Sequence, residues 1–235
     1  MIKRKLKINN IPSVLWGEQS DNLFLAIHGN MSNKEDDIIT IFSENAIKHG
    51  YQVLSFDLPK HGDRKQEKLL CNVQNCIQNL EDIMAYAKSF YKHINLFACS
   101  IGSYFSLISY SNENLEQVLF LSPIVDMERL ITNMMTWFGV TEEQLKTEQE
   151  IDTPTGQKLY WDYFSYVKNH PLNKWTAHTA ILYGSNDDLC EFEVISNFAK
   201  HNSCDLQILE QGEHYFHTPE QLSYFKKWID QKINF

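Results

Sequence analysis

The chain has 235 residues, of which 43% are hydrophobic and 13% aromatic, and its formal net charge is −9 at pH 7. This apolar content is enough for a substantial core and excludes a disordered chain, and the length fits one α/β domain. The negative charge excludes a protein that binds nucleic acid through a basic face.

The N-terminus and the cysteines favour a soluble protein in a reducing compartment. The segment MIKRKLKINNIPSVLWGE is basic but lacks the apolar stretch of a signal peptide, and no apolar run approaches the roughly 20 residues of a membrane span. Five cysteines are scattered without a C-x-x-C pair: Cys71, Cys76, Cys99, Cys190 and Cys204. We therefore expect reduced thiols, no membrane span and a cytoplasmic location.

The first part of the chain alternates between short apolar runs and amphipathic segments. Lys3–Ile8 and Ile11–Trp16 flank Asn9-Asn10, which predicts a β-hairpin because asparagine tolerates positive φ. Continuous apolar runs predict buried strands, and apolar residues at helical spacing predict amphipathic helices. The next predicted elements are a strand over Leu23–Gly29, a helix over Glu35–His49, a strand over Tyr51–Pro59, a helix over Val73–Tyr91 and a strand over Ile94–Ser100.

The alternation continues with one interruption. The predicted elements are a helix over Ile101–Tyr110, a strand over Gln117–Pro123, a strand over Ala180–Gly184, a helix over Phe192–His201, a strand over Asp205–Glu210 and a helix over Pro219–Gln231. Strands that alternate with helices form a parallel sheet with helices on both faces. With the N-terminal hairpin, the pattern predicts a single α/β domain, 1–235, built on a mostly parallel eight-stranded sheet.

The interruption, residues 126–175, has no pattern of a buried strand. Its spacing predicts helices over Met127–Phe138, Glu142–Gln149 and Lys158–Asn169. Loops longer than about 15 residues are uncommon in compact domains and are usually functional, so we expect a helical lid here. Apolar residues of the first helix are candidates for lining a substrate pocket: Met127, Ile131, Met134, Met135, Trp137 and Phe138.

A lone serine stands where the fifth predicted strand meets the next helix, in Ala98-Cys99-Ser100-Ile101-Gly102. Small residues two positions to either side allow the strand and helix backbones to approach closely. A serine on such a turn projects from the carboxyl edge of the sheet. The amide that follows it lies at a helix N-terminus, where negative charge is stabilised. The pattern therefore predicts a nucleophile elbow.

This stretch resembles the G-x-S-x-G elbow of the α/β-hydrolase superfamily, with alanine in place of the first glycine. The stretch HGNMS after the third strand resembles the family's oxyanion loop, which implies that the main-chain amides of Asn30 and Ile101 bind the oxyanion. DLPKHGDR, Asp57–Arg64, resembles an architectural turn of the family and implies no chemistry. The resemblance covers nearly the whole chain and implies an α/β-hydrolase fold.

Two stretches after later strands resemble the sites of the family's other triad members. In LYGSNDD the acid commonly lies three residues after the glycine, which selects Asp187 with Asp188 as the alternative. In EQGEHYFHTPE the G-x-H context selects His214 with His217 as the alternative. Ser100, Asp187 and His214 follow one another in the order of the family's triad.

Two neighbours of the triad candidates are weaker candidates themselves. An elbow projects one residue outward and the glycine spacing centres on Ser100, so Cys99 is expected to pack under the turn. Glu213 adjoins His214, and adjacent side chains on a loop rarely meet in triad geometry.

These residues predict a serine hydrolase that cleaves a carboxylic ester or thioester of a small to medium apolar acyl or aryl group, through an acyl-enzyme on Ser100. The alternatives are a peptidase or amidase of the same fold and a non-catalytic protein that binds a small ligand. This chemistry needs no metal and no organic cofactor. The expected partners are a small ester-type substrate, no nucleic acid and no membrane, with the chain as a monomer or homodimer.

Overall fold

The computed structural model of the protein describes residues 2–172 and 174–233. The strands of its main sheet are β1 (Lys3–Ile8), β2 (Ile11–Trp16), β3 (Asn22–Ile27), β4 (Gln52–Phe56), β5 (His93–Cys99), β6 (Val118–Leu121), β9 (Thr179–Gly184) and β10 (Asp205–Leu209). They form an eight-stranded sheet in the order β1-β2-β4-β3-β5-β6-β9-β10. β2 pairs antiparallel with β1 and β4 and every other neighbouring pair is parallel, so the mostly parallel sheet is confirmed.

The helices fall between the strands as the periodicity predicts. In the described part of the chain they are α1 (Asp37–Lys48), α2 (Val73–Phe90), α3 (Ile101–Ser109), α4 (Met127–Trp137), α5 (Glu142–Glu148), α6 (Trp161–Asn169), α7 (Phe192–His201) and α8 (Pro219–Lys232), with a short 3-10 helix at Gly62–Arg64. Side-chain caps define several starts, such as Thr218 and Gln221 in a capping box before α8. The helices that flank the main sheet are confirmed.

Helices cover the sheet on both faces. Phe42 of α1 and Trp228 of α8 pack with Phe97 of β5 in one buried apolar cluster, and the rings of Phe42 and Phe97 stack at 4.0 Å between centroids. Helices α2 and α3 contact each other, and the Tyr110 hydroxyl donates to the Leu80 carbonyl across them at 2.8 Å. The central parallel strands are buried on both faces, which explains their continuous apolar sequences.

The interruption differs from its prediction in one respect. Residues Glu150–Asp152 (β7) and Lys158–Tyr160 (β8) pair as a small antiparallel hairpin, so the predicted helix over Lys158–Asn169 is wrong in its first turn and α6 begins at Trp161. The turn closes through Thr153 N–H donating to the Gln157 carbonyl at 2.9 Å. Three-residue strands are too short for an alternating pattern to identify them.

The chain divides into two compact units, Met1–Val125 with Lys174–Phe235, and Asp126–Asn173. The second unit corresponds to the predicted insertion 126–175, of which Asn173 lies outside the described residues. Within it, α4 packs against α6 and α5 contacts β7. Across residues 2–172 and 174–233, no helix is long and apolar enough to cross a membrane.

Candidate active site

Ser100 occupies a strained turn between β5 and α3. Its φ is 50° and its ψ is −124°, a conformation that non-glycine residues adopt only where the surroundings hold it. The Ser100 amide donates to the Leu121 carbonyl at 3.1 Å. The Ser100 carbonyl accepts from the amides of Ser103 at 3.0 Å and Ile124 at 3.2 Å. These main-chain bonds hold the elbow in place.

The small residues around Ser100 are required by close backbone approach. A Cβ atom at Gly102 would lie 2.6 Å from the His28 carbonyl oxygen and 2.9 Å from the Ile27 carbonyl oxygen. A Cβ atom at Gly29 would lie 3.2 Å from the Cβ of Ser100. Ala98 is fully buried. The start of α3 therefore packs directly on the end of β3, as an elbow demands.

The structure brings Ser100, His214 and Asp187 into one hydrogen-bond chain. His214 Nε2 lies 2.8 Å from Ser100 Oγ, and His214 Nδ1 lies 2.7 Å from Asp187 Oδ2. The Asp187 side chain is fully buried and that of His214 is 10% exposed. A carboxylate that accepts a hydrogen bond from Nδ1 keeps the imidazole proton on that nitrogen. Nε2 is then free to accept the proton of the Ser100 hydroxyl.

The loops that carry the acid and the histidine are joined through their backbones. The Asn186 amide donates to the Gly212 carbonyl at 2.7 Å, and the Gln211 amide donates to Ser185 Oγ at 2.8 Å. A Cβ atom at Gly184 would lie 2.4 Å from the Gly212 carbonyl oxygen. Because the end of β9 and the loop after β10 touch without intervening side chains, the acid and the histidine meet.

Of the two candidate acids, only Asp187 meets His214. Its Oδ1 accepts from the amides of Leu189 and Cys190, both at 2.9 Å, which orients Oδ2 toward the imidazole. Asp188 is exposed.

The alternative histidine and the adjacent glutamate pair with each other instead. Nδ1 of His217 lies 2.8 Å from the Tyr215 carbonyl and 3.3 Å from a carboxylate oxygen of Glu213. Both side chains are about half exposed, at 49% and 52%. Neither is part of the hydrogen-bond chain to Ser100.

His28 orients the first predicted oxyanion amide. The Leu58 amide donates to His28 Nε2 at 3.1 Å, so His28 Nδ1–H donates to the Gly29 carbonyl at 2.7 Å. Burial lowers the pKa of His28 to about 4, so the ring is neutral at pH 7. In a trans peptide the Asn30 N–H points away from the Gly29 carbonyl, so His28 sets the direction of that amide.

The second predicted amide, that of Ile101, opens α3. A residue in the first turn of a helix has no intrahelical acceptor for its N–H, which leaves this donor available at the positive end of the helix dipole. The Asn30 side chain is held by His61, whose Nε2 lies 3.1 Å from Asn30 Oδ1 and whose Nδ1 lies 2.8 Å from the Pro59 carbonyl.

A buried ion pair ties the loop after β3 to the turn after β4. Lys34 Nζ lies 2.7 Å from Asp57 Oδ2 and 2.8 Å from Asp63 Oδ2, and Asp57 also accepts from the Lys34 and Asp63 amides. Burial acts to lower the pKa of Lys34, but the hydrogen bonds and charges of both carboxylates outweigh it and raise that pKa. The turn after β4 is therefore architectural. Sequence reasoning missed Lys34, because a lone lysine in a loop carries no pattern.

Cys99 has the environment of a packed thiol. Its Sγ lies 3.7 Å from the Ile27 carbonyl oxygen, under the elbow, and burial raises the pKa of the thiol well above its ordinary value. A protonated thiol directed at a carbonyl is not an activated nucleophile.

The six apolar pocket candidates lie in α4 or at its C-terminal cap, within the Asp126–Asn173 unit. Met127, Ile131 and Met135 are buried, whereas Trp137 is half exposed. Among residues 2–172 and 174–233, no group of three or more histidine, cysteine or acidic side chains is arranged to hold a metal ion.

No family model matches the chain, and no curated protein sequence matches it. Solved structures do resemble it. Est1E from Butyrivibrio proteoclasticus with bound ferulic acid is similar over 99% of this chain and 100% of its own, with a TM-score of 0.79 at 20% identity. Alpha/beta hydrolase domain-containing protein 10 from mouse is similar over 100% of this chain and 99% of its own, with a TM-score of 0.76 at 15% identity.

A third solved structure is similar over almost its whole length. The esterase Pf2001 from Pyrococcus furiosus is similar over 98% of this chain and 93% of its own, with a TM-score of 0.68 at 18% identity. The likeness covers both chains almost completely in each case. The sheet order, the elbow and these structural similarities together identify the chain as a protein of the α/β-hydrolase fold.

Proposed function

We propose that the protein is a serine hydrolase that cleaves a carboxylic ester, or a thioester, of a small to medium apolar acyl or aryl group. The observation that carries this proposal is the hydrogen-bond chain from Asp187 Oδ2 through both nitrogens of His214 to Ser100 Oγ, at 2.7 and 2.8 Å. A serine hydroxyl is a weak nucleophile at neutral pH, and an adjacent base that is oriented by a third group activates it.

In the first half of the reaction, Ser100 Oγ attacks the carbonyl carbon of the substrate. His214 Nε2 takes the hydroxyl proton, and Asp187 stabilises the imidazolium that results. When the tetrahedral intermediate collapses, His214 returns the proton to the departing alcohol or thiol. An acyl group then remains on Ser100.

The negative charge that develops on the substrate oxygen is received by the amides of Asn30 and Ile101 in this proposal. The first is oriented through the bond from His28 to the Gly29 carbonyl, and the second is the free donor at the start of α3. In a comparable hydrolase, removing one such donor costs about 3–4 kcal/mol of transition-state stabilisation.

In the second half, water attacks the acyl group with His214 again as the base. The Ser100 oxygen then leaves and takes back its proton from the imidazolium. Every step uses groups of this chain and water.

Two observations favour an ester over other acyl compounds. One of the similar solved structures is an esterase by name, and another holds ferulic acid, an aromatic carboxylic acid. The proposed role of the α4 residues Met127, Ile131, Met134, Met135, Trp137 and Phe138 in contacting the substrate rests on their apolar character.

The alternatives differ in what they require of Ser100. A peptidase or amidase would use the same acyl-enzyme, so a panel of ester, thioester and peptide substrates separates it from an esterase. A protein that only binds a small ligand does not need a nucleophile such as Ser100 hydrogen-bonded to a base such as His214.

The test is covalent labelling with a fluorophosphonate, read by intact mass and by peptide mapping. We expect one adduct, on Ser100, in the wild type and none in Ser100→Ala. Ser103→Ala is the matched control, because Ser103 is a buried serine in the first turn of α3, and it should label like the wild type. Absence of an adduct on the folded wild type would overturn the proposal in favour of the ligand-binding alternative.

A further inference from the structure

Two cysteines face each other at the start of α2, away from the proposed triad. Asn72 caps this helix by accepting from the Asn75 amide at 3.0 Å. Cys71 precedes the cap and Cys76 is the fourth helical residue, positions whose side chains commonly touch across a helix start. Here that contact brings two sulfur atoms to 3.6 Å.

The two thiols lie in unlike electrostatic surroundings. A hydrogen bond from the Cys76 thiol lowers the pKa of Cys71 to about 6, although burial acts to raise it. A hydrogen bond with His61 and the electrostatic effects of His61 and Arg64 also lower this pKa. Burial and the Cys71 thiolate raise the pKa of Cys76 well above its ordinary value. One sulfur is therefore a thiolate at pH 7 and the other is a thiol that hydrogen-bonds to it.

The two basic side chains that lower the pKa of Cys71, Arg64 and His61, are fixed by their own contacts. Arg64 is buried and donates to the Asp57 carbonyl at 3.0 Å and to Glu67 Oε2 at 2.8 Å. His61 Nδ1 lies 2.8 Å from the Pro59 carbonyl. Burial acts to lower the pKa of His61, but its interactions with Cys71, the Pro59 carbonyl and Asp57 together outweigh burial and raise that pKa. The two basic groups that stabilise the Cys71 thiolate are therefore held in place.

Access also differs between the two thiols. Cys71 is partly exposed, in an irregular segment that follows the exposed side chains of Leu69 and Leu70, whereas Cys76 is fully buried. A small oxidant therefore approaches Cys71 more easily than Cys76. A reactive, partly exposed thiolate beside a buried second thiol is the arrangement of a redox-responsive pair.

We propose that Cys71 and Cys76 form a redox-sensitive dithiol that a peroxide converts to an intramolecular disulfide. In the first step the Cys71 sulfur attacks hydrogen peroxide, an S–O bond forms, the O–O bond breaks and hydroxide leaves. In the second step the Cys76 sulfur attacks the sulfenic sulfur, the S–S bond forms, the S–O bond breaks, and the hydroxyl leaves as water with the Cys76 proton. The hydroxide takes one proton from solvent, so the thiolate and the thiol lose two electrons in total and one peroxide becomes two waters.

The geometry needs only a small adjustment for the bond to form. A disulfide has an S–S length of about 2.0 Å, so sulfur atoms now 3.6 Å apart must approach by roughly 1.6 Å. Side-chain rotation can supply part of this approach, and Cys71 lies outside the helix, where the backbone can follow. Burial raises the pKa of both Cys99 and Cys204, so neither matches Cys71 as a reactive thiolate.

The first test measures thiol reactivity on the folded chain. Under limiting iodoacetamide at pH 7, we expect Cys71 to be alkylated about tenfold or more faster than Cys204, whose pKa is raised to about 11. Equal rates for these two partly exposed cysteines would overturn the proposal.

The second test measures the product of oxidation. After stoichiometric hydrogen peroxide, intact mass should show the loss of two hydrogen atoms, and non-reducing peptide mapping should join Cys71 to Cys76; a thiol reductant should reverse both. In Cys76→Ser, the sulfenic acid should persist on Cys71 and be trapped by dimedone.

Cys204→Ser is the matched control and should form the disulfide like the wild type. Over-oxidation of Cys71 without a disulfide in the wild type would contradict the proposal. Neither readout depends on hydrolase activity.

Discussion

Two halves of the candidate site are held by different kinds of contact. The triad half, Ser100 with Asp187 and His214, is fixed by main-chain hydrogen bonds and by glycines that touch neighbouring backbone. The oxyanion half, the loop over residues 28–34 and the turn over residues 57–64, is fixed by buried side chains that are charged or titratable. The first half should therefore be sensitive to added atoms, and the second to lost charge and to pH.

The largest expected effect concerns the single charge of the triad half. Asp187→Asn keeps the side-chain shape but removes the carboxylate that holds the imidazole tautomer, so we expect kcat to fall by about 10⁴. Asp188→Asn, one residue later and exposed, should stay within about twofold of the wild type, as surface substitutions usually do. Both are measured as ester turnover on the substrate found by the panel. A larger loss for Asp188→Asn would mean that the acid has been misassigned.

The next effect strikes the charged anchor of the oxyanion half. Lys34→Met leaves the fully buried Asp57 carboxylate without its cation, which should lower the free energy of unfolding by about 3–5 kcal/mol. The matched control is Lys92→Met, since Lys92 pairs with Asp21 at the surface, where an ion pair contributes little. Urea unfolding at pH 7 measures both. A loss below about 1 kcal/mol for Lys34→Met would contradict the role of this pair as an anchor.

The corresponding break in the triad half adds one methyl group. The Cβ of Gly102→Ala would lie 2.6 Å from a backbone oxygen, so the elbow must shift, at about 1–3 kcal/mol of stability. Because a misplaced nucleophile loses its alignment, fluorophosphonate labelling should slow by about 100-fold. Gly139→Ala, where no heavy atom lies within 4 Å of the added Cβ, should label at the wild-type rate despite the φ of +66° at that position. Similar labelling by the two variants would show that the elbow tolerates bulk.

The fourth effect separates the two halves by pH. Because His28 binds its proton only near pH 4 when folded and near pH 6.5 when unfolded, the unfolded chain takes up protons first as the pH falls. The free energy of unfolding of the wild type should therefore fall by about 2 kcal/mol between pH 7 and pH 4.5 because of His28.

His28→Gln should remove this pH dependence of the free energy of unfolding. The glutamine amide can still donate to the Gly29 carbonyl, but it does not titrate. His217→Gln, which replaces a half-exposed histidine, is the control and should keep the pH dependence of the wild type. Urea unfolding at both pH values measures the difference. Parallel profiles for the wild type and His28→Gln would mean that His28 titrates normally in the folded protein.

The sequence indicates the residues of the triad half more directly than the contacts that hold the oxyanion half, for a physical reason. A continuous apolar run locates β5, and helical hydrophobic periodicity locates α3. Glycines mark positions where two backbones touch, so Ser100 and Gly102 form a recognisable local pattern. Asp187 and His214 follow from their places after β9 and β10. The choice between Asp187 and Asp188 needed the direction of two amide hydrogen bonds, which no pattern encodes.

What sequence reasoning missed depends on pairs that are distant in the chain or too short to have a period. Lys34 meets Asp57 across 23 residues, and either residue alone resembles a surface charge. The β7–β8 hairpin has three residues in each strand. Cys71 and Cys76 looked like scattered thiols, because only the helix start between them brings their sulfur atoms together.

The smallest effect links the dithiol to the oxyanion half and rests on the proposed function. His61 interacts with the Cys71 thiolate and also holds the side chain of Asn30, whose amide is a proposed oxyanion donor. Forming the disulfide removes the thiolate charge but leaves the amide in place. Fluorophosphonate labelling of the oxidised protein should therefore slow by only about two- to fivefold, far less than the loss of a whole donor.

Reduced Cys71→Ser lacks the same charge and should label at the rate of the oxidised wild type, whereas reduced Cys204→Ser should label at the rate of the reduced wild type. If oxidation slows labelling but Cys71→Ser does not, the disulfide acts by moving the backbone at the start of α2 and not through the charge on His61. If neither slows labelling, the thiol pair and the oxyanion half are independent, although the mass shift would still report the disulfide itself.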